Sequence, residues 1–222
     1  MHPRTQHTVV QGPSGALQTV LEAPDLAPGQ SPLGVAVIAH PHPLFGGTMD
    51  NKVVQTLARA FTQGGWLAVR FNFRGVGQSE GMYDDGRGEL QDLLSVLEQV
   101  APQATHNGAL ALAGFSFGAF VASHAVQTLH PLRPLHSVVL VGTAAGRFEV
   151  APIDAALHAR TLVLHGEQDD TVALSDVLDW ARPQALPVTV LPGVGHFFHG
   201  QLPLLRSLVA RHLAADRPFR AT

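Results

Sequence analysis

Three side chains of this sequence have types and positions that suit nucleophilic catalysis. Ser116 lies between Gly114 and Gly118, directly after an apolar run, and Asp169 and His196 each follow a further apolar run later in the chain. A serine hydroxyl is a weak nucleophile at neutral pH, so it needs a base to accept its proton and a carboxylate to orient that base. The order Ser, Asp, His therefore predicts a nucleophile, an imidazole base and an orienting acid.

Residues 109–128 indicate how the serine is positioned. The uninterrupted apolar run 109–113 is typical of a strand that is buried on both faces of a parallel sheet. From Gly118 onward, apolar residues recur at helical spacing, with no proline before Pro131. A strand that turns into a helix so abruptly needs the flanking glycines, and the helix N-terminus would point its N–H groups and positive dipole end at the hydroxyl. The alternative is that Ser116 merely caps the helix.

The remaining elements must bring the acid and the base to the same edge of a sheet. Apolar runs predict further strands, at 7–10, 16–22, 34–39, 66–71, 137–141, 161–164 and 188–191. Helical spacing predicts helices at 51–63 (capped by Thr48 or Asp50), 89–100, 174–182 and 202–215, with a frayed tail after Asp216. Apart from the opening hairpin, strands alternate with helices, which predicts one α/β domain over 1–222, with its core at about 8–213. Its central sheet would be mostly parallel, with an N-terminal antiparallel hairpin and helices on both faces. The connection 142–160 is too short for a cap domain.

Composition excludes several other classes of function. The formal net charge is −3 and no run of like charges occurs, so neither nucleic acid nor an anionic membrane is an expected partner. The chain has no cysteine, which excludes disulfides, thiolate metal sites and a cysteine nucleophile. No segment approaches membrane-spanning length and the N-terminus does not resemble a signal peptide, so we expect a cytoplasmic protein. Nothing in the sequence indicates an oligomeric state.

Four motifs together resemble the α/β-hydrolase superfamily, over about residues 8–213. More narrowly, they are similar to those of small bacterial hydrolases without a lid. The motifs are HPHPLFGGTMDNK at 40–52, FNFRGVGQS at 71–79, GFSFG at 114–118 and GHFF at 195–198. The resemblance implies that Ser116 is the nucleophile, that Asp169 of the His-Gly-x-x-Asp sequence is the acid, and that His196 is the base. It also implies hydrolysis of a small-molecule carboxylic ester through an acyl-enzyme, with no cofactor and no metal.

Each of these roles has a competing assignment. Asp170 is an alternative acid, with Asp169 then capping the following helix, and His199 is an alternative base. His40, His42 and His199 would be the ligands of a metal site, although no carboxylate or cysteine stands at ligand spacing. Arg74 is expected to tie the glycine-rich loop to backbone carbonyls, with a role in substrate binding as the alternative.

An oxyanion hole requires two N–H donors that converge on one oxygen. The amide of Phe117, the residue after the nucleophile, is the expected first donor. Pro41 and Pro43 have no N–H, so the amide of His42 is the expected second donor, with Leu44 as the alternative. The substrate cleft is expected to be open and lined by apolar residues, namely Leu44, Phe45, Phe117, Phe148, Phe197 and Phe198.

The sequence therefore predicts a serine hydrolase that acts on small carboxylic esters or thioesters. An amidase or peptidase of the same fold is the alternative within this class. A different class is a non-catalytic α/β-hydrolase scaffold that binds a partner protein, but such a scaffold would have no reason to retain all three triad residue types at strand ends.

Overall fold

The computed structural model describes residues 5–103 and 108–215. The eight strands are β1 (Thr5–Gly12), β2 (Gly15–Glu22), β3 (Gly34–Ala39), β4 (Leu67–Phe71), β5 (Ala109–Phe115), β6 (Leu135–Val141), β7 (Thr161–Gly166) and β8 (Val188–Leu191). The five α-helices are α1 (Lys52–Gln63), α2 (Arg87–Val100), α3 (Phe117–Leu129), α4 (Leu174–Ala181) and α5 (Leu202–Ala215). The predicted frayed tail after Asp216 lies outside the described residues.

All eight strands form one sheet in the order β1-β2-β4-β3-β5-β6-β7-β8. β1 and β2 are a hairpin, β2 also runs antiparallel to β4, and the pairs from β4 to β8 are parallel. This is the predicted single α/β domain with an N-terminal antiparallel hairpin. The parallel strands all end at one edge, so the loops that follow β3, β5, β7 and β8 lie close together.

Each face of the sheet is covered by its own hydrophobic core. On β3, Val35 and Val37 face the core shared with α2, α3 and α4, while Ala36 and Ile38 face the core shared with α1 and α5. All six residues of β3 are buried, which explains why the strand is uniformly apolar instead of alternating. The same arrangement holds for β5 at the centre of the sheet.

The helix ends differ from the prediction at α1. The side chain of Asn51 accepts a hydrogen bond from the amide of Val53 and is the N-cap, whereas Thr48 and Asp50 were the predicted caps. Asp50 is instead close enough to Arg70 for an ion pair of 3.0 Å. All five residues predicted on the inner face of α1 are buried, namely Val53, Val54, Leu57, Ala58 and Phe61.

The connection between β6 and β7 contains one short 3-10 helix, Ala155–Arg160, and no cap domain. The carboxyl edge of the sheet therefore stays open above β5 and β6, as the sequence predicts. Among the described residues, no helix is both long and apolar enough to cross a membrane.

Candidate active site

Ser116 occupies the single residue between the end of β5 and the start of α3. Its backbone has φ 57° and ψ −117°, a conformation that non-glycine residues rarely adopt. The conformation is held from both sides, because the Ser116 amide donates to the carbonyl of Val141 at 2.8 Å and its carbonyl accepts from the amide of Ala119 at 3.0 Å. A strained serine that is fixed in this way between a strand and a helix has the backbone geometry that the sequence predicts for a nucleophile elbow.

The glycines on either side of the elbow are required by close backbone contacts. A Cβ atom on Gly114 would collide with the backbone of Gly118, and one on Gly118 would collide with the carbonyls of Ala39 and His40. The elbow is therefore packed directly against the end of β3. This contact brings the loop after β3 next to Ser116.

The ring of His196 is connected to the carboxylate of Asp169. Nδ1 of His196 lies 2.7 Å from Oδ2 of Asp169, and both residues are buried. Because an ionised carboxylate only accepts hydrogen bonds, the proton of the neutral ring belongs on Nδ1, which leaves the lone pair on Nε2. The ring also packs on Phe115, with centroids 4.9 Å apart, which holds it beside the elbow.

The second oxygen of Asp169 is held by the backbone. Oδ1 accepts hydrogen bonds from the amides of Thr171 at 2.9 Å and Val172 at 2.7 Å. Burial by itself would raise the pKa of Asp169, but the hydrogen bonds from His196, Val172 and Thr171 outweigh burial and lower the pKa below its ordinary value. The carboxylate therefore stays ionised at neutral pH.

A second imidazole lies behind the carboxylate and was not predicted from the sequence. His165, at the end of β7, is fully buried, and its Nε2 is 3.0 Å from the carbonyl of Val172 and 3.5 Å from Oδ2 of Asp169. Burial lowers the pKa of His165, so it is neutral and donates through Nε2 to the carbonyl. It fixes the turn that carries Asp169.

The competing acid and base lie away from this arrangement. Asp170 is exposed and contacts only the hydroxyl of Thr171, at 3.3 Å. The alternative in which Asp169 caps the following helix is wrong, because α4 begins at Leu174 after Ala173 and has no side-chain cap. The side chain of His199 is exposed and packs against Phe197 at a ring distance of 5.9 Å.

The loop after β3 brings His42 to the cleft that contains Ser116. Pro41, His42 and Phe117 all line this cleft. Within residues 5–103 and 108–215, no hydrogen-bond acceptor is recorded for the amides of His42 and Phe117. The amide of Leu44, the alternative donor, already donates to Nδ1 of His42 at 3.2 Å. The geometry therefore favours His42 over Leu44.

The side chain of His42 has a structural role that the sequence did not predict. Its Nδ1 accepts from Leu44, so the proton of the neutral ring is on Nε2, which lies 3.2 Å from the hydroxyl of Tyr83. The ring contacts four aromatic rings, those of Phe45, Tyr83, Phe117 and Phe148. Burial lowers the pKa of His42, against an opposing effect of Asp85. A neutral, packed His42 holds its own loop in place.

His40 is also structural. Its Nδ1 donates to the carbonyl of Pro41 at 2.6 Å and its Nε2 accepts from the amide of Phe73 at 3.0 Å. Complete burial lowers the pKa of His40 to about 4. Because both ring nitrogens are used by the protein, His40 is not available as a metal ligand. In the described part of the chain, no group of three or more His, Cys, Asp or Glu side chains is arranged to hold a metal ion.

Arg74 does not bind backbone carbonyls, in contrast to the prediction. Its Nη2 and Nε donate to the carboxylate of Asp92 on α2, at 2.7 and 3.0 Å, and its amide donates to the same carboxylate. This hydrogen bonding to Asp92 raises the pKa of Arg74. Asp92 is fully buried, so the pair anchors the glycine-rich loop to α2 and lies outside the cleft.

The cleft has a volume of about 560 Å³ and contains most of the predicted lining. Ser116, His196 and His42 line it, and its predicted apolar wall includes Phe45, Phe117, Phe148 and Phe197. The side chain of Phe45 is 81% exposed and that of Phe197 is 45% exposed, so the cleft is open to solvent. Two of the predicted lining residues lie elsewhere: Leu44 points to solvent and Phe198 is fully buried in the core with α1 and α5.

Three polar residues line the cleft that the sequence did not single out: Asn51, Arg147 and Thr171. Asn51 belongs to the loop motif at 40–52, and Thr171 follows the acid by two positions, so proximity in sequence was the available signal. Arg147 lies in the irregular connection after β6, where no periodic pattern indicates which side chains face the cleft.

Comparisons with known proteins agree with this fold. The model of the family described as X-Pro dipeptidyl-peptidase (S15 family) matches residues 15–146. The uncharacterized protein RP471 of Rickettsia prowazekii is 31% identical over 174 residues, which are 74% of this chain and 71% of that protein.

Solved structures of α/β serine hydrolases are similar to this protein over nearly the whole chain. XC6422 from Xanthomonas campestris, described as a member of the α/β serine hydrolases without lid, has 34% identity and a TM-score of 0.84, covering 96% of this chain and 95% of its own. An alpha-beta serine hydrolase homologue from Coxiella burnetii has 36% identity and a TM-score of 0.77, with 94% and 97% of the two chains covered. The chain therefore belongs to the S15 family of the α/β-hydrolase superfamily, and it is a hydrolase by family and by fold.

Proposed function

We propose that this protein hydrolyses small carboxylic esters or thioesters through an acyl-enzyme. The observation that carries the proposal is one open cleft that is lined by the strained Ser116 and by His196, Phe117 and His42. These residues would supply the parts of an acyl-transfer site, namely Ser116 as nucleophile, His196 as base with Asp169 as its acid, and the amides of Phe117 and His42 as oxyanion hole.

In the first step, Nε2 of His196 accepts the proton of the Ser116 hydroxyl while Oγ attacks the ester carbonyl carbon. The amides of Phe117 and His42 stabilise the negative charge that develops on the carbonyl oxygen. Asp169 stabilises the imidazolium through Nδ1. The imidazolium then gives its proton to the leaving alcohol, and the acyl group remains on Ser116.

In the second step, His196 accepts a proton from water, and the hydroxide attacks the acyl carbon. The carbon–oxygen bond to Ser116 breaks, the serine regains its proton from His196, and the carboxylic acid leaves. One water is consumed for each ester, and no cofactor takes part in either step.

The family description raises dipeptidyl-peptidase action as the second candidate. A dipeptidyl-peptidase must recognise the ammonium group at the substrate N-terminus, and a carboxylate in the cleft is the group suited to bind it. None of the residues that line the cleft is Asp or Glu, and Asp169 is used by His196 and the backbone. This lining favours ester cleavage over removal of N-terminal dipeptides.

The test is a comparison of nitrophenyl esters of increasing acyl length with an X-Pro nitroanilide. We expect turnover of the short esters with a burst of nitrophenol equal to the enzyme concentration if deacylation is slower, and no turnover of the nitroanilide. Faster cleavage of the nitroanilide than of every ester would replace this proposal with the peptidase function. The variant Ser116→Ala is the control for background hydrolysis.

A further inference from the structure

Among the residues that the structure describes, Arg147 is the only arginine or lysine that lines the cleft. It lies in the loop after β6, opposite the loop that carries Asp169. Its Nε donates to the carbonyl of Thr171 at 2.8 Å, which fixes the plane of the guanidinium group against the acid-bearing turn. The guanidinium group of Arg147 is therefore held at the wall of the cleft.

The remaining donors of Arg147 are not used by the protein. In the described part of the chain, no ion pair within 4.0 Å includes Arg147, and its only recorded hydrogen bond is the one from Nε. The carboxylate of Asp176 lies against Gly146, next in sequence, and still does not form a pair with Arg147. Both terminal NH₂ groups are therefore available to an anion.

The surroundings of Arg147 favour a negative charge in the cleft. None of the lining residues carries a carboxylate, and the positive end of the α3 dipole points into the same space. Arg147 also acts on His42, whose pKa is lowered mainly by burial, opposed by the Asp85 charge and lowered further by the positive charge of Arg147. The guanidinium charge of Arg147 therefore lies close enough to act on the loop after β3, which carries His42.

We propose that Arg147 binds a free carboxylate on the substrate, so that the preferred substrates are esters that carry a second, ionised carboxyl group. The inference rests on the proposed ester hydrolysis and names its substrate class. A guanidinium group binds a carboxylate through two parallel N–H···O bonds, and its two terminal NH₂ groups provide this fork. Two sources of the carboxylate fit the same chemistry, namely the acyl part, as in a half-ester of a dicarboxylic acid, and the alcohol part, as in an ester of a hydroxy acid.

The experiment compares matched substrates in two arms. The acyl arm compares the nitrophenyl half-ester of a dicarboxylic acid with the corresponding terminal carboxamide, and the alcohol arm compares the acetate esters of 4-hydroxybenzoate and 4-hydroxybenzamide. In one arm, we expect kcat/KM to be about tenfold higher for the carboxylate, because a charge-assisted bidentate pair in an open cleft has an effect of this size. The preference should decrease at high salt.

In the variant Arg147→Gln, the ratio of kcat/KM for the carboxylate to kcat/KM for the carboxamide should fall to about one, and Arg147→Lys should keep part of the preference. Arg133→Gln is the matched control, because Arg133 is an exposed arginine just before β6, at the opposite edge of the sheet. An unchanged ratio of carboxylate to carboxamide in Arg147→Gln, in both arms, would overturn the inference. A fall in kcat on the neutral esters together with an unchanged ratio would show that Arg147 only supports the turn at Thr171, and would also overturn it.

A second readout separates this inference from the proposed function. A neutral fluorophosphonate reacts with an activated serine whether or not a given ester is turned over. The carboxylate product of the preferred arm, which is the dicarboxylic acid or 4-hydroxybenzoate, should slow this labelling in the wild type and not in Arg147→Gln. Absence of labelling would contradict the proposed function, whereas labelling that neither product slows in either protein would contradict the role of Arg147 alone.

Discussion

Nδ1 of His196 and Oδ2 of Asp169 lie 2.7 Å apart in the interior, although 27 positions separate the two residues in sequence. Oδ1 of the same carboxylate accepts from two backbone amides, so neither oxygen is free to move. This pair assigns the proton of the neutral ring to Nδ1 and leaves Nε2 for the nucleophile. The neighbouring carboxylate of Asp170 has no contact of this kind.

Exchange of the two aspartates, one at a time, tests the assignment of the acid. Asp169→Asn should lower kcat by about 10⁴-fold, because an amide that donates to Nδ1 selects the wrong ring tautomer. Asp170→Asn should change kcat by less than about tenfold, since its side chain is exposed and contacts only Thr171. The measurement is kcat at saturating substrate, with thermal unfolding of both variants as the control. A large loss of kcat in Asp170→Asn together with a nearly unchanged kcat in Asp169→Asn would reverse the assignment.

The sequence was sufficient for the fold because each buried strand is an apolar run and each helix has a regular apolar face. It also brought Ser116, Asp169 and His196 to the same edge, since the carboxyl ends of parallel strands meet there. The partners of Arg74 and His40 could not be predicted in the same way. Those contacts depend on how loops pack on one another, as in the pair of Arg74 with Asp92 on α2, and no periodic pattern encodes them.

Loop conformation also explains why two of the predicted lining residues do not line the cleft. Phe197 and Phe198 are adjacent in sequence, yet one lines the cleft and the other is fully buried with φ 53°. A turn with a positive φ reverses the side-chain direction between neighbours, and the sequence gives no signal for that reversal here. Leu44 and Phe45 differ in a similar way within one short 3-10 turn.

Substitution of His42 by proline isolates the role of its backbone amide. The φ of His42 is −53°, which proline can adopt, so His42→Pro removes the N–H without forcing the backbone to change. We expect His42→Ala to lose part of the activity, because the ring holds the loop in place, and His42→Pro to lose a further 10²–10³-fold in kcat, roughly the effect of removing one oxyanion donor. Equal activity of the two variants would show that the second donor lies elsewhere.

Burial of His40 predicts a loss of stability in weak acid. Its pKa is about 4 in the folded protein and 6.5 as the reference for the unfolded chain, so the unfolded chain binds the extra proton between these values. The stability linked to His40 is complete above pH 6.5 and decreases as the pH falls toward 4. The free energy of unfolding should decrease by about 2–3 kcal/mol between pH 7.5 and 4.5 from this group.

The check is a series of denaturant titrations across this pH range. The variant His40→Gln should be less stable at neutral pH and should show a shallower dependence on pH. His165, whose pKa is also lowered by burial, should account for part of the slope that remains. An identical slope in the wild type and in His40→Gln would contradict the prediction.

The close packing of the elbow predicts a large cost for a single methyl group. In Gly118→Ala, the new Cβ would collide with the carbonyls of Ala39 and His40, which belong to the backbone and cannot rotate away. We expect a loss of at least about 2 kcal/mol in the free energy of unfolding. Gly195→Ala is the control, since its Cβ would meet only the carbonyl of Gln168 at 3.6 Å and should cost less than about 1 kcal/mol. Equal stability of the two variants would mean that the elbow is not tightly packed.

The most direct test of the account is covalent labelling of Ser116 by a fluorophosphonate, followed by intact mass and peptide mapping. We expect one added phosphonyl group, located on Ser116, with labelling abolished in Ser116→Ala and slowed by orders of magnitude in His196→Ala, while both variants unfold cooperatively like the wild type. Ester hydrolysis should disappear in step with labelling, with kcat in Ser116→Ala lower by about 10⁴–10⁶-fold. Full labelling at another residue, or Ser116→Ala with more than a few per cent of wild-type turnover, would contradict the claim that Ser116 is the nucleophile.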